Sequence, residues 1–124
     1  MRLIEKAFLL KKTPLFAHLD LDVLFAAADK LAVLSCQENE VIFEKGDEAT
    51  RMYFVASGKV QAAGALLQPP QFFGDEALFN ERPRNYSAKA LSPTTLLTLS
   101  KTNLLAIISE CPSVAIGLLQ VRMP

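Results

Sequence analysis

The chain has 124 residues, of which 51% are apolar, and its 13 basic residues balance its 13 acidic ones. This size and apolar content suit one domain with a buried core, and a neutral chain is not drawn as a whole to nucleic acid or to anionic membranes. No apolar run reaches the roughly 18 residues that a membrane span needs, and the N-terminal segment lacks a signal-peptide cleavage site. The cytoplasm is therefore the expected location.

The first predicted element is a helix near 21–31. Apolar residues recur there at helical spacing after Asp20, at Leu21, Leu24, Phe25, Ala28 and Leu31. The Asp20 carboxylate is placed to cap the N–H groups of the first turn.

Short strands follow this helix. Seven apolar or alternating runs are divided by Gly, Pro, Asn or Ser, at Ala32 to Cys36, Glu40 to Glu44, Met52 to Ser57, Lys59 to Ala62, Ala65 to Leu67, Ser87 to Leu91 and Thr94 to Leu99. That many short strands predict a sandwich or barrel. Two helices then end the chain, because Ser100 offers an N-cap and Pro112 suits the first turn of a second helix.

The segment from Phe73 to Arg84 combines the features of an anion site. Gly74 lets the backbone approach a ligand closely or adopt a positive φ. If 76–79 forms one short helical turn, its first N–H groups are unpaired and suit phosphate oxygens. Arg84 supplies a bidentate positive fork, and Asp75 accepts hydroxyl hydrogens such as those of a ribose. The segment therefore predicts a sugar-phosphate ligand.

The pattern F-G-D-x-A-L at 73–78, followed by Pro83 and Arg84, resembles the phosphate-binding cassette of cyclic nucleotide-binding domains. The resemblance implies that Asp75 binds the ribose 2′-hydroxyl, that the Ala77 N–H binds the cyclic phosphate, and that Arg84 pairs with this phosphate. Arg84→Ala is then expected to abolish binding and to leave the protein folded. The predicted ligand-binding residues are Phe73, Gly74, Asp75, Glu76, Ala77, Arg84, Asn85 and Tyr86. No catalytic residue, metal or cofactor is expected beside the nucleotide.

The resemblance extends to 13–24, 41–47 and 52–60, and so to most of the chain. It implies a mostly β fold, an antiparallel β-roll (a jelly-roll-like double-stranded β-helix) of seven or eight strands with flanking helices. A single domain over 1–124 is expected. Its helices fall at 1–31 and 100–124, and its β-roll at 32–99 contains the cassette at 73–86. The short connection between Gly58 and Phe73 predicts a hairpin trimmed to a turn near Ala63 and Gly64.

Three residues depart from the family pattern. Where the family usually has Glu, this chain has Asp75. Where the family has an aliphatic residue this chain has Glu76, and where the family has a small residue it has Tyr86. Because strand residues two apart share a face, Tyr86 is expected to lie beside Arg84 and to crowd the ligand. If Arg84 does not contact a ligand, the alternative is a surface ion pair with Glu81 or Asp75.

Two functions are consistent with these residues. The first is a bacterial-type regulatory module that binds a cyclic nucleotide, cAMP rather than cGMP, and signals through its C-terminal helices. Its partner is then an effector domain, a larger protein or a second copy in a homodimer. The second is a degenerate fold that has lost the nucleotide and serves as a protein-interaction or assembly module.

Other classes are disfavoured by the residues. An enzyme is not expected, because the sequence has no nucleophile–base arrangement, metal-ligand cluster or Walker-type loop. DNA binding by this chain alone is not expected either, since 115–124 carries one basic residue, Arg122. His18 is interpreted as a surface or capping residue, and Cys36 and Cys111 as reduced, buried thiols. Core positions are predicted for Tyr53, Phe54, Phe72, Phe73 and Phe79.

Overall fold

The computed structural model describes residues 1–79 and 81–122, with side chains up to residue 119. Its helices are α1 (Leu3–Lys12), α2 (Leu21–Ala28), α3 (Lys101–Glu110) and α4 (Ser113–Arg122). Its strands are β1 (Ala32–Cys36), β2 (Val41–Phe43), β3 (Arg51–Ser57), β4 (Val60–Ala62), β5 (Ala65–Leu67), β6 (Phe72–Phe73), β7 (Ala88–Ala90) and β8 (Thr94–Ser100).

The strands form two four-stranded sheets, with the orders β1-β8-β3-β6 and β2-β7-β4-β5. Every pairing is antiparallel. Two helices precede the sheets in the chain and two follow them. The predicted antiparallel β-roll with flanking helices is therefore confirmed.

Strand β3 separates two buried clusters. Met52 and Phe54 pack in a cluster that the helices share, whereas Tyr53 and Val55 pack in the interior of the roll. A strand buried on both faces needs a continuous apolar run rather than alternation, which explains the sequence of β3. Because β6 pairs with β3, the segment that follows β6 lies at the border of the two clusters.

The hairpin between β4 and β5 has a two-residue turn, as the sequence predicts. Ala62 pairs with Ala65, and the turn residues Ala63 and Gly64 have φ values of 51° and 77°. Two consecutive positive φ values are typical of a type I′ turn, whose twist matches that of the flanking strands.

The predicted helix at 21–31 is shorter in the structure. It ends at Ala28, because Lys30 N–H bonds to Ala27 O and Leu31 N–H to Ala28 O in tight turns that lead into β1. The predicted Asp20 cap is wrong: Asp20 has the extended backbone of an N-cap, but its carboxylate accepts no hydrogen bond from the described first turn. The main-chain oxygen of Asp20 still begins the helix by accepting the N–H of Leu24.

The two C-terminal helices begin as predicted. The Ser100 hydroxyl accepts the Asn103 N–H at 3.1 Å and caps α3, and α4 starts directly after Pro112. In the described ranges no single helix has both the length and the apolar composition to cross a membrane. Helices α3 and α4 meet these criteria only as a pair, and they bend by 119° where they join.

Two local predictions near the cassette are corrected. The segment from Glu76 to Phe79 is a turn and not a helix, and it is closed by a hydrogen bond of 3.1 Å from Leu78 N–H to Asp75 O. Phe79 is 48% exposed and so is not a core aromatic. The eighth strand, β6, escaped prediction because two residues are too few to show an alternating pattern.

Candidate functional site

Position 74 favours glycine for two reasons, the conformation of its backbone and the lack of room for a side chain. Its φ of 83° lies in the left-handed region that favours glycine. A Cβ on this residue would also lie 3.1 Å from Arg84 Nη1 and 3.1 Å from Tyr53 Cδ2. The glycine of the cassette is therefore required for the close approach of the Arg84 side chain to the chain that leaves β6.

Arg84 is buried, with 4% of its surface exposed. Its Nη1 donates to the main-chain oxygen of Gly74, and its Nη2 donates to that of Arg51 at 2.5 Å. Its Cζ lies 4.2 Å from the centroid of the Phe43 ring, which is the geometry of a cation–π contact. The alternative of a surface ion pair is wrong, since Arg84 is not a surface residue.

The main chain of Arg84 is held from the opposite side by the turn after β2. Arg84 N–H donates to Asp47 O at 2.8 Å, and Gly46 N–H donates to Arg84 O at 2.8 Å. Both the side chain and the main chain of this arginine are thus fixed by contacts within the protein. By contrast, the neighbouring Arg82 and Pro83 are exposed.

The carboxylate expected to bind ribose belongs to the residue directly after Gly74, whose main-chain oxygen accepts from Arg84. Asp75 is 4% exposed, and its main-chain oxygen closes the 75–78 turn. Ala77 is half-buried and Glu76 is exposed. Leu78, at 1% exposure, packs in the cluster that the helices share. The turn therefore connects the arginine site to the helical layer.

Tyr86 and Glu76 meet across the cassette. The Tyr86 hydroxyl lies 2.9 Å from Glu76 Oε1 and 3.1 Å from Oε2. The Tyr86 ring meets Phe43 edge-on, with centroids 5.4 Å apart. The pKa of Tyr86 is raised well above its usual range, first by burial of the phenol and then by the negative charge of Glu76. The Gly74 N–H and the Arg84 guanidinium lower this pKa, but by less. Tyr86 and Arg84 both contact the Phe43 ring. Strand alternation is not the reason, because residues 84–86 lie outside the strands and β7 begins only at Ala88.

The remaining predicted positions take simpler roles. Phe73 is buried and stacks on Tyr53 with centroids 5.0 Å apart, so it supports the site from within the roll. Asn85 is exposed. Away from the site, His18 lies at the surface with Nε2 2.9 Å from Ser113 Oγ. Both cysteines are free thiols, but Cys111 is only half-buried.

Three cavities border the cassette in the described part of the chain. One of about 640 Å³ is lined in part by Leu78 and by residues 81–83. The other two are smaller. One of about 410 Å³ lies beside Tyr86 on the β2–β7–β4 side, where Glu44, Gln61 and Lys89 contribute to its walls. The other, of about 430 Å³, lies between the 75–79 turn and helices α3 and α4; Asp75 and Glu76 border it, and the rest of its wall is apolar. The cassette therefore has open space on several sides.

Sequence reasoning missed three parts of this site. The sequence around Phe43 is that of an ordinary strand and does not indicate that this ring packs against the Arg84 guanidinium. The main-chain carbonyl of Arg51, which accepts from Arg84, has no sequence signal. Gly46 and Asp47 fall in the 41–47 stretch of the family resemblance, which gives no indication that their main chain contacts Arg84. Their contacts with Arg84 span nearly forty positions along the chain, so local patterns do not reveal them.

The chain matches the family model described as the cyclic nucleotide-binding domain over residues 33–111. This match covers more than half of the chain, and the chain belongs to the cyclic nucleotide-binding domain family. The predicted family is thus confirmed.

Relatives with known names agree with this assignment. The chain is 34% identical to the cyclic AMP receptor protein of Thermus thermophilus over 86% of its own length and 54% of that protein. It is 31% identical to a cyclic nucleotide-gated potassium channel of Mesorhizobium japonicum, over 86% of the chain and 31% of the channel. The chain therefore spans about half of the receptor and about a third of the channel. These names denote a receptor and a channel, not enzymes.

The fold agrees with a solved structure. The crystal structure of the catabolite activator protein from Thermus thermophilus superimposes with a TM-score of 0.81 and 34% sequence identity. The superposition covers 87% of this chain and 55% of that one.

Proposed function

We propose that this chain is a regulatory domain that binds a cyclic nucleotide, cAMP in preference to cGMP, and signals through its C-terminal helices. The buried guanidinium of Arg84 carries the proposal. It is fixed at Gly74 and over Phe43, in the register where the family pairs an arginine with the cyclic phosphate.

The chemistry of the site supports a phosphate ligand. A guanidinium has five N–H donors, and two groups of Arg84 bond to carbonyls within the described residues. Further donors then suit phosphate oxygens in a partly dry site, where charge-assisted hydrogen bonds are strong. Asp75 lies one residue from Gly74, so the ribose 2′-hydroxyl and the phosphate can be bound by the same segment.

The turn offers a route for the signal. Leu78 shares its buried cluster with Leu104 of α3 and Leu118 of α4. A ligand that draws the 75–78 segment towards Arg84 shifts Leu78 against these helices. Such a ligand favours one arrangement of the helices over another, and this differential binding is what a regulatory domain requires.

The preference for cAMP is supported by the 34% identity to a cyclic AMP receptor protein. In this family a Thr or Ser directly after the arginine goes with guanine and a small apolar residue with adenine, so Asn85, which is neither, does not select the base. It is also exposed, so it is not committed to the core.

A thermal shift measurement tests the proposal. A ligand at a hundredfold excess over its dissociation constant stabilises a folded protein by about 2.7 kcal/mol, so cAMP should raise the melting temperature by several degrees. cGMP should give a smaller shift at the same concentration, and linear 5′-AMP serves as the control. Absence of any shift with millimolar cAMP or cGMP contradicts the proposal.

One observation favours the second candidate, a degenerate fold that acts in protein interaction or assembly. The hydrogen bond between Tyr86 and Glu76 places a large ring and an extra carboxylate beside the predicted phosphate site. If neither the wild-type protein nor Tyr86→Ala responds to cyclic nucleotides, this candidate is the better one.

A further inference from the structure

The contact between Tyr86 and Glu76 is a defined interaction within the proposed site. The phenol hydroxyl lies within 3.1 Å of both oxygens of the carboxylate. A hydrogen bond to an ionised acceptor is roughly twice as strong as one between neutral groups. The two residues are ten positions apart, so the bond joins the turn of the cassette to the chain after Arg84.

Tyr86 is held in place from its other side. Its ring packs edge-on against Phe43, the ring over which the Arg84 guanidinium lies. The raised pKa of Tyr86 keeps the phenol protonated at neutral pH, so it remains a hydrogen-bond donor. Tyr86 and the Arg84 guanidinium contact the same Phe43 ring, which brings the Tyr86–Glu76 contact close to the arginine that the proposed function assigns to the phosphate.

We infer that Tyr86 and Glu76 set the ligand affinity of this site, because they form a closed pair that an incoming cyclic phosphate must separate. This inference rests on the proposed function. Glu76 is the residue that competes with the ligand, since its negative charge is bonded to Tyr86, whose ring contacts Phe43 as the Arg84 guanidinium does. Tyr86 is a positioning residue that holds the carboxylate there.

Two conservative substitutions separate these roles. Tyr86→Phe removes the hydroxyl and keeps the ring on Phe43, whereas Glu76→Gln removes the charge and keeps the size of the side chain. Because this bond is exposed to solvent and weakened by it, each variant is expected to bind cAMP severalfold more tightly than the wild type. Glu81→Gln is the matched control, because Glu81 is an exposed carboxylate that lies 3.9 Å from Lys101.

The double variant tests whether the two residues act as a pair. If both substitutions release the same interaction, Tyr86→Phe/Glu76→Gln binds no more tightly than the better single variant. Fully additive effects contradict the pair. Weaker binding by Tyr86→Phe means that the hydroxyl contacts the ligand, which also overturns the inference.

Tyrosine fluorescence of the protein without ligand shows whether the Tyr86 hydroxyl is bonded to Glu76. The chain has two tyrosines and no tryptophan, so Tyr53→Phe leaves Tyr86 as the only strong emitter. A phenol bonded to a carboxylate emits weakly, and Glu76→Gln in this background should therefore increase the emission. Unchanged emission refutes the pair.

The cAMP titrations distinguish failure of this inference from failure of the proposed function. If the wild type binds and the single variants bind no more tightly, this inference alone fails. If no variant binds cAMP or cGMP, the proposed function fails with it.

Discussion

Arg84→Ala should destabilise this protein strongly, in addition to removing nucleotide binding. The sequence alone suggested that the variant stays folded, but the structure places the guanidinium in the interior. Its removal leaves the buried carbonyls of Gly74 and Arg51 without their donor, at about 1–3 kcal/mol each. The lost contact with Phe43 adds about 1 kcal/mol.

The expected loss is therefore about 3–7 kcal/mol, out of a total stability of about 5–15 kcal/mol for a domain of this kind. Urea unfolding followed by circular dichroism measures it directly. The matched control is Arg82→Ala, because Arg82 is exposed two residues away, and its change should stay within about 0.5 kcal/mol. If Arg84→Ala costs less than about 1 kcal/mol, the guanidinium is not held as described here. Arg84→Lys is the milder variant for binding studies, since it retains the charge without the fork.

Three further predictions concern the cassette. Gly74→Ala should lower the free energy of unfolding by about 1–3 kcal/mol, because the φ of residue 74 is positive and the added Cβ would crowd Arg84. Gly46→Ala is the control and should cost about 1 kcal/mol, because its φ is also positive but the space around its Cβ is open. Urea unfolding compares the two variants. Leu78→Ala should cost about 2–5 kcal/mol, and Phe79→Ala, at an exposed position, should cost far less in the same assay. Asp75→Asn should weaken cAMP binding at least severalfold, because a charge-assisted hydrogen bond contributes about 1.5–3 kcal/mol. Calorimetric titration measures this change. Unchanged affinity would show that Asp75 does not bind the ribose.

Much of the fold was predictable because its signals are local. The Ala63-Gly64 turn, the Ser100 cap and the alternating or apolar strand runs each depend on a few adjacent residues. Strand β6 and the turn at 76–79 were mispredicted for the opposite reason. The first is too short for a pattern, and the second depends on how Leu78 packs against distant helices.

The candidate site was predictable as a set of chemical groups but not as an arrangement. The spacing of Gly74, Asp75 and Arg84 indicated the ligand class. Burial of Arg84 depends on Phe43 and on the carbonyl of Arg51, which lie in strands of different sheets and are brought together only by the packing of the two sheets. The partner of the Tyr86 hydroxyl, Glu76, is likewise set by the path of the chain between them.

The most direct test of the central claim is calorimetric titration of the wild-type protein with cAMP and with cGMP. We predict saturable binding of cAMP at one site per chain, with weaker binding of cGMP and none of 5′-AMP. Absence of binding heat for both cyclic nucleotides at millimolar concentration, at two temperatures, would contradict the claim that this domain senses a cyclic nucleotide.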